Sequence, residues 1–183
     1  MKLRIIELVQ VAIRYSRRHE RFLANAALCI FALALHQSAL GGFWRFDDGY
    51  HLEFAAKYAP WQYYFQPSVT VLQSNANVTP YNALFYDINL SLFGMSPQGH
   101  YAHMIFLLAL IACATYHLIR LWQSPAISLL AAGLFLAGIP TLYVGQQLMT
   151  GHYVMGLLLT ILCLYSFTQG VRHRHYGLNL LGA

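Results

Sequence analysis

The chain has 183 residues, of which 58% are hydrophobic and only 9% charged, and its formal net charge is +5. A soluble domain carries about 25% charged residues, so this composition excludes an ordinary water-soluble domain and points to a surface that faces lipid. The basic residues flank apolar runs, which assigns the positive charge to membrane topology and anionic lipid and excludes nucleic acid as a partner.

Residues 1–21 form a basic segment with Lys2, Arg4, Arg14, Arg17, Arg18 and Arg21. Within it, "IIELVQVAI" at 5–13 has the pattern of a short amphipathic helix lying on a membrane surface. A single membrane domain is expected over 22–183. About 20 helical residues cross a hydrocarbon core, and apolar runs of that order lie at about 22–43, 101–121, 126–144 and 151–170. In lipid each backbone group must be satisfied within the segment, so the sequence predicts an all-α integral membrane protein with four transmembrane helices. The first reads as a retained signal anchor, because "QSALGG" is a poor cleavage site. Gly133 and Ala137 give the third run a small-residue face, and Pro140 predicts a kink near its end. Cys29, Cys113 and Cys163 each fall inside a run without metal-ligand spacing and read as buried packing residues.

Arg120 follows the second run, and Arg172 and Arg174 the fourth, whereas only Arg45 and Lys57 fall on the opposite side. The positive-inside rule then puts both termini in the cytoplasm of a bacterial inner membrane and the long loop 44–100 in the periplasm. Loops of this length are usually functional. Here it predicts two juxtamembrane helices joined by the turn "SNANVTP". The first helix runs up to Pro60 and is supported by Glu53 and Lys57 at i,i+4; the second is "YNALFYDINLSLFG". Trp61, Tyr63, Tyr64 and Phe65 suit a membrane–water interface. Asn77-Val78-Thr79 fits a glycosylation acceptor.

The loop opens on "FWRFDDGYH", which holds two of the six acidic residues side by side. Asp48 as a helix N-cap explains one carboxylate. Two adjacent carboxylates at an apolar interface also require a proton, an arginine or a cation. Arg45 is one partner, and a divalent cation (Mg²⁺ or Mn²⁺, with hard oxygen ligands from Asp47 and Asp48) is another. His51, His100, His103 and His152 fall at the same end of the predicted bundle, so Asp47, Asp48, His51, His103 and His152 can line one pocket, with Gln146 and Gln147 beside it. Haem held by His36, His103 and His152 is disfavoured, because no pair lies at mid-membrane depth.

The order of a span, an acidic pair, juxtamembrane helices and a second span resembles the N-terminal module of GT-C membrane glycosyltransferases. The likeness is to protein O-mannosyltransferase-like and lipid-A-modifying-type members. It is carried by "FWRFDDGYH", by Leu92-Phe93-Gly94 with Pro97 and Gly99 leading into a helix that ends at Arg120, and by "AAGLFLAGIP" followed by "VGQQLMTGHY". The resemblance implies that Asp47 and Asp48 are catalytic, as general base or as metal ligands. It implies a polyprenyl-phosphate sugar donor, and Arg45, His51, His103, Gln147 and His152 as substrate-binding residues. Such enzymes carry about seven or more spans, so four imply completion by further helices or by other membrane subunits. The alternative is a non-catalytic accessory subunit that uses the same fold for packing.

Overall fold

The structure, a computed structural model, describes the backbone of residues 2–73 and 80–173 and the side chains of 19–73 and 80–173. The turn at 74–79 with its Asn77–Thr79 triplet, Arg174, and the side chains of the basic segment before His19 lie outside the described residues. Every element found is helical. Three stretches are long and apolar enough to cross a membrane: His19–Gly41, Pro97–Ile119 and Leu148–His173. They match the first, second and fourth predicted runs to within a few residues.

The first helix, α1, is continuous over Lys2–His36 and absorbs the short surface helix expected at 5–13. Its last turn tightens over Gln37–Gly41, and the chain becomes extended at Gly42. A Cβ at Gly42 would lie 2.5 Å from the Tyr101 ring, so only glycine lets the chain leave the bundle at this point.

Among its described residues, the long segment between the first two membrane-length stretches carries four short helices rather than two. These are α2 (Asp48–Lys57), α3 (Pro60–Phe65), α4 (Pro67–Gln73) and α5 (Pro80–Phe93). Pro60, Pro67 and Pro80 each occupy the first turn of a new helix, where the missing N–H costs nothing. The expected Glu53–Lys57 pair does not form; Lys57 lies instead over the Tyr58 ring. Phe54, Tyr63, Val69 and Ala83 make a small core of their own under these helices.

The second membrane-length stretch is α6 (Pro97–Ile119), and it is the hub of the molecule. Met104, Leu108, Ile111 and Ala112 are all buried, and α1, α7 (Pro125–Ala137) and α9 (Gly151–His173) pack around it. The third predicted run is divided. α7 has 13 residues, about 20 Å at ~1.5 Å per residue, which is short of a ~30 Å hydrocarbon core. Gly138 is extended, and the chain restarts as α8 (Ile139–Val144) with Pro140 in its first turn. The expected kink is therefore a break. Gly133 does face a neighbour, Phe31 of α1.

At one end of the bundle Glu20 pairs with Arg120 at 2.8 Å and accepts the Tyr116 hydroxyl at 2.6 Å. Arg172 donates to the Leu121 carbonyl at 3.0 Å. This clamp joins α1, α6 and α9. Cys29 and Cys163 are exposed on the surface of the chain rather than buried, and Cys113 is half-buried.

Helix α9 reaches the segment containing α5 through Gly151, where an added Cβ would lie 2.7 Å from the buried Phe85 ring. Gly151→Ala is expected to cost about 1–3 kcal/mol through overpacking. Gly156→Ala, where nothing lies within 4 Å, is the near-neutral control. Thermal unfolding of both variants in detergent checks the difference.

Candidate functional site

The site starts with a tight turn. Asp48 N–H donates to the Arg45 carbonyl at 3.0 Å, and the Arg45 N–H donates to Asp48 Oδ2 at 2.7 Å. Between them Phe46 has a φ of +49°, a left-handed conformation that a bulky side chain rarely adopts. Phe46 is itself exposed, so its own packing does not hold that conformation. The two bonds across the turn do.

These bonds separate the two carboxylates. Asp48 is 1% exposed, and its second oxygen accepts the Tyr86 hydroxyl of α5 at 2.5 Å. Asp47 sits at the N-cap of α2, makes no side-chain capping bond and remains exposed. Asp48 thus satisfies the turn rather than capping its own helix in the expected way. Burial, followed by the bond to Asp48, pushes the Tyr86 phenol well above the ordinary tyrosine range. The phenol is therefore a permanent donor to the carboxylate.

His51 lies one turn into α2, stacked on Tyr86 with ring centroids 5.3 Å apart. Asn82 donates to His51 Nε2 at 3.1 Å, which suits a neutral ring. Burial lowers the affinity of His51 for a proton; the charges of Asp47 and Asp48 oppose this, and His152 adds to it. His152 acts on His51 through its charge alone, and its own ring lies against Tyr153 with centroids 3.9 Å apart.

The other expected members diverge. His103 donates to Asn89 Oδ1 at 2.8 Å and stacks on Phe85, locked between α5 and α6. His100 is fully buried, with its Nε2 3.1 Å from the Gly94 carbonyl and its ring edge-on to Trp44. Arg45 is exposed and lines a cavity of about 260 Å³ with Ser38, Gly42, Tyr101 and Gln146. Gln146 lines this cavity and Gln147 does not. Tyr101 closes it by donating to the Phe43 carbonyl at 3.1 Å.

Among the described residues no group of three or more His, Cys, Asp or Glu side chains could hold a metal ion. Both Asp48 oxygens are engaged in hydrogen bonds, so the pair is not a two-carboxylate cradle. Asp47 alone offers free oxygens, which fits the way Mg²⁺ takes one or two carboxylates and completes its shell with substrate phosphate and water.

Tyr86 and Asn82 were not singled out from the sequence. Their signal was present: Asn82, Tyr86 and Asn89 recur at i, i+4 and i+7 through the otherwise apolar "YNALFYDINL", which marks one polar face directed at a partner. All three are buried. Comparison with protein-family models, with curated proteins and with solved structures gives no match for this chain.

Two outcomes test this geometry. Tyr86→Phe leaves a buried carboxylate oxygen unpartnered and is expected to cost about 1–3 kcal/mol, read as earlier thermal unfolding and faster proteolysis within 44–93. Folded His51 resists the proton that an unfolded imidazole takes near 6.5. Its contribution to stability is therefore complete above about pH 6.5 and is lost as pH falls through that value toward its lower folded pKa. Unfolding midpoints measured between pH 7.5 and 5 should fall on acidification, and less steeply in His51→Gln.

Proposed function

We propose that the chain is a GT-C-like glycosyltransferase module that acts on a polyprenyl-phosphate sugar at the membrane face carrying Asp47. The observation that carries this reading is the separation of the acidic pair. One carboxylate is buried and fully hydrogen-bonded, and its turn leaves the other exposed two residues along the chain from Arg45, which lines a cavity. In this reading Asp48 is a positioning residue and Asp47 is the general base.

The acceptor hydroxyl attacks the anomeric carbon, its proton passes to Asp47, and the bond from that carbon to the phosphate oxygen breaks. The leaving group is the polyprenyl phosphate, with Arg45 near enough to offset its charge. His51 and His152 line the approach, whereas His103 acts through the packing of α5. Alternatively, Asp47 would hold a Mg²⁺ or Mn²⁺ carried by the donor phosphate, which would supply charge neutralisation in place of the base role.

The same reading takes α7 and α8 together as the third of four crossings, broken at Gly138. It puts both termini in the cytoplasm and the site in the periplasm of a bacterial inner membrane. Completion by other membrane subunits is supported by α9, whose Leu157, Leu162 and Phe167 are exposed and whose Gly156 has open space around it. That outward face also favours the second reading, an accessory subunit that uses the fold to pack against partners.

Asp47→Asn is expected to reduce transfer from a polyprenyl-phosphate sugar in proteoliposomes by about 10²–10⁴-fold, with expression and thermal stability unchanged. Full transfer by that variant would remove the catalytic reading. Loss of a co-purifying subunit instead would support the accessory one.

A further inference from the structure

A second cavity of about 220 Å³, sharing no lining residue with the one beside Arg45, opens between α2 and α4. It is lined by Tyr50, Glu53, Phe54, Lys57, Tyr58 and Leu72. The Tyr50 hydroxyl donates to the Leu72 carbonyl and ties the two helices together across it. Phe54 is buried and Tyr58 half-buried, while Glu53 and Lys57 are exposed, with the Lys57 ammonium 5.3 Å from the Tyr58 ring centroid. Tyr50, Phe54 and Lys57 follow Asp47 by three, seven and ten positions, which keeps them on one side of α2 at 3.6 residues per turn. The cavity therefore begins about one helical turn from the exposed carboxylate.

Its chemistry selects among ligands. An alkyl chain would leave Glu53 and Lys57 without use, and a divalent cation would find a single carboxylate. An extended peptide needs unpaired backbone groups on the wall, and α2 and α4 pair theirs internally. A pyranose ring has an apolar C–H face for an aromatic surface and a rim of hydroxyls for a carboxylate and an ammonium. Hydrogen bonds from such hydroxyls to charged groups contribute about 1.5–3 kcal/mol each.

We infer that this cavity is a saccharide subsite that holds the acceptor sugar with one hydroxyl toward Asp47. The inference rests on the reading of Asp47 as the reacting group and adds the acceptor class to it. Glycosyl transfer then joins two sugars across the Asp47 turn, with the donor phosphate on the Arg45 side and the acceptor on the Tyr50 side.

The test uses the purified full chain in lipid nanodiscs and saturation-transfer NMR. The probes are the methyl glycosides of glucose, mannose and N-acetylglucosamine, with a Ser/Thr-containing hexapeptide as a parallel arm. At least one glycoside should show saturable transfer to its ring C–H protons. Its affinity should fall about tenfold or more in a Glu53→Gln/Lys57→Met double variant, the loss of a single charged hydrogen bond being enough for that factor. Both side chains are exposed, and an unchanged unfolding midpoint verifies that the variant is folded; Glu53→Gln alone serves if the double variant is not.

Absence of saturable transfer from every glycoside, affinity unchanged in the folded variant, or binding of the peptide alone would overturn the subsite. Glycoside binding that depends on Glu53 and Lys57, in a protein whose Asp47→Asn form retains full transfer, overturns the catalytic reading and leaves the subsite standing. Transfer that depends on Asp47 without any glycoside binding does the reverse.

Discussion

The arrangement of this end of the molecule depends on one buried carboxylate. Removing an ionised carboxylate from water costs several kcal/mol even after relaxation, and Asp48 is almost fully enclosed. It is offset by one backbone N–H from its own turn and one phenol from α5. Because the two donors belong to different elements, the charge is satisfied only when α5 is docked against α2. The same bonds hold Phe46 at a positive φ and turn Asp47 outward. A single electrostatic requirement thus fixes a turn, a helix contact and the exposure of the neighbouring carboxylate.

The helical bundle serves as a platform for that arrangement. Among the described residues α6 has more buried side chains than any other helix, and it is clamped at one end by Glu20, Arg120 and Tyr116. Toward the other end its first turns support α5 through His103 and Asn89, and they support the loop after α1 through Tyr101 and the Phe43 carbonyl. The aromatic and polar side chains of α6 gather toward its two ends, and aliphatic ones lie between. His100, Tyr101 and His103 lie by the short helices, and Tyr116 and His117 by the Glu20 clamp. Rigid contacts at Gly42 and Gly151 bring the chain closer to these rings than any larger residue would allow.

Two cavities of unlike chemistry draw their charged residues from the stretch around Asp47. The Arg45 side is basic and lined by hydroxyl and amide groups. The Tyr50 side is aromatic, with one carboxylate and one ammonium. Neither depends on a distant part of the sequence for its charged residues, because Arg45, Glu53 and Lys57 all lie within the same short stretch. The walls that make them cavities come from Tyr101, Gln146 and Leu72.

Much of this was legible in the sequence, for definite reasons. Low charge and long apolar runs required membrane-length helices, and lipid permits no other backbone solution for single segments. Proline and glycine marked where helices start and stop, and Asp47, Asp48 and His51 were conspicuous as charge in an apolar chain. Four short helices stand where two were expected because Pro60 and Pro67 each start a new helix, and α7 and α8 stand where one run was expected because hydropathy does not register the extended Gly138. Tertiary structure alone decided which carboxylate is buried, since adjacent residues in sequence are chemically identical until Tyr86 approaches one of them. It also decided that Arg120 meets Glu20, that His103 turns to Asn89, and that Gln146 rather than Gln147 reaches the Arg45 cavity. Each of these is a choice of partner between elements far apart in the chain, and composition and spacing carry no information about which faces will meet.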